Sequence, residues 1–254
     1  MRTIPKSTRN RSASGVTLLE TLVCIAIVAI IGAVLLPKLS RSITTQRRLA
    51  CISNLKNLGL GFRTFALDHA GAYPWRVAVS NGGFELPAVG TVPAAMNSVF
   101  FAFASISNET STPRILRCPA DRERRLTIHS FQDGPSFGAL AATQPSYFVG
   151  TDVTGEEYSS ILSGDRNLLV KAAGLDGITA ANYNQITTIR ASDVRSGLPS
   201  NIEWGSSMHN HCGNLLDGSG GVGQLTSSRV RESFEDAFKA KSNDFHLFFP
   251  ALEN

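Results

Sequence analysis

Four groups able to do chemistry stand close together near the C-terminal end: His209, His211, Cys212 and Asp217 fall within nine positions. Imidazole and thiolate are suitable zinc ligands. A short strand through His209-Asn210-His211-Cys212 would turn both imidazoles to one face and the thiol to the other, whereas a tetrahedral cage needs convergent ligands, so no firm metal site is expected here. Just beyond, Gly218-Ser219-Gly220-Gly221-Val222-Gly223 satisfies G-x-G-x-x-G literally. A dinucleotide site also requires a helix opening at the third glycine and a following strand with an acid. Only 31 residues follow Gly223 and the first of them read as strand and turn, which excludes it. No Ser, His and Asp set stands out, and no enzymatic activity is expected. Asp121 to Arg125 is a mixed charge run and reads as a solvated face.

The elements that must position these residues are bounded by composition. The chain has 254 residues, 43% hydrophobic and 17% charged, a charged fraction below the roughly 25% of soluble domains. It is long enough for a real core and is not a disordered composition. The net charge of +4 divides unevenly, +7 in residues 1–48 and −3 in the remainder. The basic pI therefore belongs to the N-terminus and no nucleic-acid partner is firmly implied. Cys24, Cys51, Cys118 and Cys212 are too few for a disulfide-built scaffold. A special N-terminal segment and one globular domain follow from this balance.

Residues 1–15 hold Arg2, Lys6, Arg9 and Arg11 with no acid, and Val16 to Leu36 is a run of 21 residues with one charge, Glu20. About 20 residues span a bilayer. A secretory signal has a shorter apolar region and a cleavage site after it; here Ser14-Gly15 precedes the run, so a cut at Gly15 would keep the helix. Lys38, Arg41, Arg47 and Arg48 follow the span and match the four basic residues before it, so the positive-inside rule ties. A carboxylate near the edge of such a span reads, on the residues alone, as an interfacial acid that snorkels to water.

Gly15-Val16-Thr17-Leu18-Leu19-Glu20 resembles the processing motif of the type IV pilin and type II secretion pseudopilin family, in which a glycine precedes the cut and a glutamate is fifth after it. With Val16 first, Glu20 is fifth and Pro37 twenty-second, where the family commonly has a helix-kinking proline. Val16 replaces the usual phenylalanine. The resemblance implies cleavage between Gly15 and Val16 and methylation of the new N-terminus by a prepilin peptidase. It further implies a single-pass anchor in inner-membrane lipid with the leader cytoplasmic and the head periplasmic. Assembly with other pilin-like subunits into a pseudopilus or pilus-like filament would follow, Glu20 neutralising a neighbour's α-amino group.

The helix is expected to continue past Pro37, because Cys51, Leu55, Leu58, Phe62 and Phe65 repeat at helical period. Gly59 and Gly61 either weaken it or allow close packing against a sheet. The expected organisation is leader 1–15, transmembrane helix 16–36, periplasmic continuation 37–69 and head 70–254. Runs at Ser146–Gly150, Ile186–Ile189 and Ile202–Trp204 read as strands. Val230, Phe234, Ala237 and Phe238 mark one face of a helix over Ser228–Lys241, and Gly164-Asp165, Asp176-Gly177 and Asp217-Gly218 read as turns. The fold class is α+β, a long N-terminal helix on a small antiparallel sheet, pilin-like.

The segments LACISNLKNLGLGFRTFALDHAGAYPW, RILRCPADRERR and HNHCGNLLDGSGG resemble a large-headed branch of that family with a C-terminal His-to-Asp-Gly motif. Seven residues separate His209 from Asp217 where the branch has about nine, implying a shortened strand before the turn. Some pseudopilin heads bind calcium, which makes Asp217 the calcium candidate; no other cofactor is implied. In an oxidising periplasm three head cysteines allow one disulfide and one thiol, with Cys51–Cys118, tying the helix to the RCP loop, preferred. A different class consistent with the same residues is a monomeric single-span protein with a ligand-binding periplasmic head.

Overall fold

The computed structural model describes residues 15, 17–86, 99–122, 131, 145–154, 160–170, 186–189, 202–240 and 245–250; the side chains at 34, 37–42, 186, 187 and 240 fall outside the description. The chain forms two compact units, Met1–Thr45 and Gln46–Asn254. Helix α1, Leu18–Asp68, supplies residues to both.

In the first unit the helix is apolar on every side. Leu18, Leu22, Ile25, Val28, Ile30, Leu35 and Leu36 are all exposed, Leu18 to 83%. A helix that is hydrophobic all round normally lies within a protein core or a membrane. Among the described residues no helix is long and apolar enough to cross a membrane; Val16 and the Val34 side chain, both inside the expected span, lie outside them. Helical backbone continues through Pro37, and the bend expected there falls on side chains outside the description.

In the second unit α1 becomes amphipathic. Cys51, Leu55, Leu58, Phe62 and Phe65 are at most 3% exposed, and they pack with Tyr147, Val149, Leu162, Leu216 and Phe248. Those partners come from an antiparallel sheet of β1 (Tyr147–Gly150), β2 (Ile161–Asp165), β4 (Ile186–Ile189), β6 (Cys212–Asp217), β7 (Val222–Thr226) and β8 (Phe245–Phe248), in the order β4-β8-β1-β2-β6-β7. Two shorter strands, β3 (Leu168–Val170) and β5 (Ile202–Trp204), pair separately. Short helices α2 (Phe100–Ala104) and α3 (Ser107–Thr110) precede the sheet, and α4 (Ser227–Ala240) follows β7.

Side-chain alternation sends neighbouring strand residues to opposite faces, and here both faces are covered. Tyr147, Val149 and Leu216 join the α1 core, whereas Phe148 and Leu215 join a second core with Trp204 and with Val230, Phe234, Ala237 and Phe238 of α4. The sheet is thus larger than the small one expected and is buried from both sides. Gly59 packs against β6: a Cβ there would lie 2.8 Å from Leu216 Cδ1. Of the two readings of this glycine, close packing against the sheet is the one that holds.

Strand β6 has six residues and pairs with β7 from Cys212↔Thr226 to Leu216↔Val222. Two local expectations change. Gly164 and Asp165 are the buried end of β2, and the turn follows at Arg166-Asn167. Asp121, placed on a solvated face by its charged neighbours, is fully buried. The turn expected at Asp176-Gly177 lies outside the described residues.

Burying a large apolar side chain contributes about 1.5–3 kcal/mol, so the stripe of α1 supplies stability comparable with the 5–15 kcal/mol of a whole domain. A chain beginning at Arg47 is expected to melt cooperatively, and one beginning at Tyr73 is not. Calorimetry of the two truncated chains checks this, and equal melting of both would show that α1 contributes little to the core.

Candidate functional site

Among the described residues two places combine reactive groups with a defined geometry, one in each unit. The first is the start of α1. Glu20 Oε2 accepts hydrogen bonds from Thr17 N at 2.8 Å and Thr17 Oγ1 at 3.0 Å, while Thr17 Oγ1 accepts from Glu20 N at 3.3 Å. This reciprocal pair is a capping box, in which two otherwise unpaired amide groups of the first helical turn are satisfied. The T-x-x-E spacing of Thr17 and Glu20 is the sequence signal for it, one that the charge of Glu20 within an apolar run obscures. Gly15 lies just before the box, exposed and with open space around its Cα. Val16 lies outside the described residues.

The second place is a buried polar cluster between α1, the loop at Cys118 and the sheet. Cys51 of α1 is disulfide-bonded to Cys118, and Asn54 Nδ2, one turn on, donates to Arg117 O at 2.9 Å. Asp121, three residues beyond Cys118, takes a two-pronged contact from Arg166, with Nε–Oδ2 and Nη2–Oδ1 both 2.7 Å, and a third bond from Ser146 Oγ. Planar guanidinium and carboxylate match in this geometry, which suits a fully buried acid.

Among the described residues Asp165 has no guanidinium bound to it. Its Oδ2 accepts from Asn214 N at 2.7 Å and Asn214 Nδ2 at 2.8 Å, and lies 3.4 Å from His209 Nε2. The same His209 nitrogen is 3.3 Å from Cys118 Sγ and 3.3 Å from Asn214 Nδ2. Burial pushes the Asp165 carboxyl up to about 8, against the Asn214 hydrogen bonds that favour its ionised form. Burial pulls His209 down to about 4, with Arg48 adding to the effect. Burial also holds the Tyr147 phenol well above its ordinary range, the nearby Asp165 raising it further.

The loop carrying His209 is held in an uncommon conformation. His209, Asn210 and His211 have φ of 48°, 53° and 59°, a left-handed turn that costs about 1–2 kcal/mol for each non-glycine residue. Asn167 offsets part of this cost: its Nδ2 lies 3.0–3.1 Å from the carbonyl oxygens of Gly205, Met208 and Cys212. The turn corrects the expectation of a strand through His209–Cys212. His209 points inward to Cys118, His211 Nδ1 lies 3.3 Å from Trp204 O, and Cys212 is a free thiol at the start of β6.

Asp217 ends β6 and serves the turn to β7. Its Oδ1 accepts from Ser219 N and Gly221 N at 2.9 Å and from Ser219 Oγ, and Arg63 Nη1 donates to Ser219 O at 2.6 Å. The oxygen is therefore engaged by donors, with a guanidinium on the same turn. The literal glycine motif divides between this turn and β7, without the helix a dinucleotide site needs. Gly134-Pro135-Ser136-Phe137-Gly138 has the spacing of a nucleophile elbow and lies outside the described residues. An apolar cavity of about 200 Å³, lined by residues including Val79, Phe84 and Phe101, shares no residue with the cluster.

Residues 10–36 match the family model described as the prokaryotic N-terminal methylation motif. No curated protein matches the chain, and no solved structure does. The match supports a pilin-like N-terminus of the kind a prepilin peptidase processes, and it covers the Gly15 and Glu20 positions.

The Asp165–His209 pair has a pH signature. Asp165 is raised from 3.8 to about 8, so its contribution to stability is complete below 3.8 and lost as pH rises through 8. His209 is lowered from 6.5 to about 4, so its contribution is complete above 6.5 and lost as pH falls through 4. The two slopes cancel between about 4 and 6.5, leaving the Asp165 loss unopposed from 6.5 to 8. The other charged groups facing the pair are Asp121, Arg166 and Arg48, with Tyr147 titrating higher. The melting temperature of the wild type is expected to fall from pH 6.5 to 8, and that of Asp165→Asn to fall less; parallel curves would refute the assignment.

Proposed function

We propose that the chain is a structural prepilin-like subunit, not an enzyme. A prepilin peptidase cuts it between Gly15 and Val16 and methylates the new N-terminus. Val16 to Leu36 anchors it in inner-membrane lipid with residues 1–15 cytoplasmic and the head periplasmic. Its N-terminal helices then pack with those of other pilin-like subunits in a type II secretion pseudopilus or a type IV pilus-like filament. The observation that carries this reading is the methylation-motif match over residues 10–36. The exposed apolar surface around α1 from Leu18 to Leu36 supports it, because such a surface needs lipid or neighbouring helices to cover it.

On this reading Glu20 meets a neighbouring subunit with the carboxylate that its capping box orients. Thr17 uses only Oε2, so Oε1 is the atom that accepts from the α-amino group of a staggered neighbour. Two unit charges 4 Å apart attract by about 4 kcal/mol at an effective dielectric constant of 20, and desolvation removes much of that. A misregistered neighbour leaves both charges unpaired in an apolar setting. The pair therefore sets register more than it adds stability.

Co-expression with a prepilin peptidase is expected to shorten the wild type by residues 1–15, and to leave a chain with a bulky residue at position 15 uncut. An unchanged wild-type mass would overturn the reading. Glu20→Ala is expected to insert and be cut normally yet fail to enter filaments, with Glu20→Asp intermediate. Crosslinking in assembled filaments measures this, and Glu20→Ala incorporation equal to wild type would reduce Glu20 to a helix cap.

A further inference from the structure

The donor atoms of Cys51, Cys118 and His209 all lie within 4.8 Å of one another, and all three residues are buried. They come from α1, the loop before Asp121 and the left-handed turn before β6, far apart in sequence. A strained turn of three consecutive non-glycine residues, held by Asn167, places the imidazole there. Backbone strain of this kind persists where the surrounding structure enforces it. The imidazole nitrogen facing the sulfurs also faces a carboxylate: His209 Nε2 is 3.3 Å from Cys118 Sγ and 3.4 Å from Asp165 Oδ2.

We propose that reduction of the Cys51–Cys118 disulfide converts this cluster into a zinc site, with Cys51, Cys118 and His209 as ligands and Asp165 as the adjoining oxygen donor. Tetrahedral zinc, with bonds of about 2.3 Å to sulfur and about 2.0–2.1 Å to nitrogen or oxygen, separates its ligands by about 3.3–3.8 Å. The Cys118–His209 and His209–Asp165 distances already fall at that spacing. Asn214 donates twice to Asp165 Oδ2, the kind of outer contact that orients a metal-site carboxylate. In the oxidised chain the two sulfurs are bonded to each other and offer no thiolate, so the site is gated by redox state. The proposal is independent of filament assembly.

The chemistry balances with a simple reductant. A dithiol gives two electrons and two protons to the Cys51–Cys118 bond and becomes a disulfide itself. A trialkylphosphine does the same with one water, leaving as the phosphine oxide. Zinc then displaces the two thiol protons. The other cysteines, Cys24 and Cys212, are free thiols and serve as controls.

The test uses the full-length chain, reduced with a carboxyethyl phosphine and titrated with Co²⁺ as a coloured stand-in for zinc. One equivalent is expected to bind with a thiolate-to-cobalt charge-transfer band and the visible bands of a tetrahedral site, and Zn²⁺ is expected to displace it. The oxidised chain should show no such band. His209→Ala and Cys118→Ser should lose it, Asp165→Asn should bind about 10-fold more weakly, and a Cys24→Ser, Cys212→Ser double variant should match wild type. Near-ultraviolet circular dichroism is followed throughout, with Zn²⁺ expected to preserve or restore the native signal of the reduced chain and raise its melting temperature. The proposal is overturned by a reduced wild type without the thiolate band, by an equal band in His209→Ala or in the oxidised chain, or by a native signal that Zn²⁺ does not hold.

Discussion

The bond between Cys51 and Cys118 joins the buried stripe of α1 to the loop that carries Asp121, and the polar interior of the second unit is arranged around it. It closes a loop of 67 residues, which restricts the unfolded chain by about 4 kcal/mol in the loop-entropy picture. Hydrogen bonds just before Cys118 hold the same loop: Asn54 of α1 reaches Arg117 O, and Ser146 N donates to Leu116 O at the entry to β1. With helix and loop fixed together, Leu55, Leu58, Phe62 and Phe65 can cover one face of the sheet. The other face is covered by α4 and the β3–β5 pair.

Covering both faces creates the second constraint. Strand β2 has no solvent side, so Ser163 and Asp165 are buried with Ile161 and Leu162. An ionised acid in such a setting costs several kcal/mol unless compensated. Asp121 is compensated by the two-pronged Arg166 contact. Asp165 has amide donors in its place, and its proton is held to a higher pH. Asp165 Oδ1, Asn214 Oδ1 and His209 Nδ1 have no hydrogen-bond partner among the described residues. Native interiors keep such atoms few, and their concentration around His209 sets this region apart from the ordinary core.

The N-terminal unit obeys a different economy of surface. Among the described residues its apolar side chains stay exposed, and on the filament reading lipid or helices of other subunits cover them. The capping box ties the helix start to Glu20. The residue that on this reading recognises a neighbour therefore also terminates its own helix, and its carboxylate is presented in one orientation before any neighbour arrives.

Sequence alone determined what depends on local periodicity and spacing. The stripe from Cys51 to Phe65, the strands near 147, 186 and 202, the closing helix and the Gly15-to-Glu20 motif all declare themselves within a few turns or a few residues, because burial repeats at 3.6 or 2 residues. An oxidising compartment, with one cysteine on a helix and the other in the RCP loop, favours the pairing of Cys51 with Cys118. The assembly of His209, Asp165, Asn214, Asp121 and Arg166 was not legible. Asp165 reads as a turn residue and Asp121 as surface, since charge is a solvent signal until a partner, Arg166 for Asp121 at 45 residues away, removes the need for water. His209 read as a strand residue because three left-handed residues in succession have no glycine to announce them. Only the tertiary structure, by closing the sheet between two layers, decided which polar groups lost water and so had to find one another.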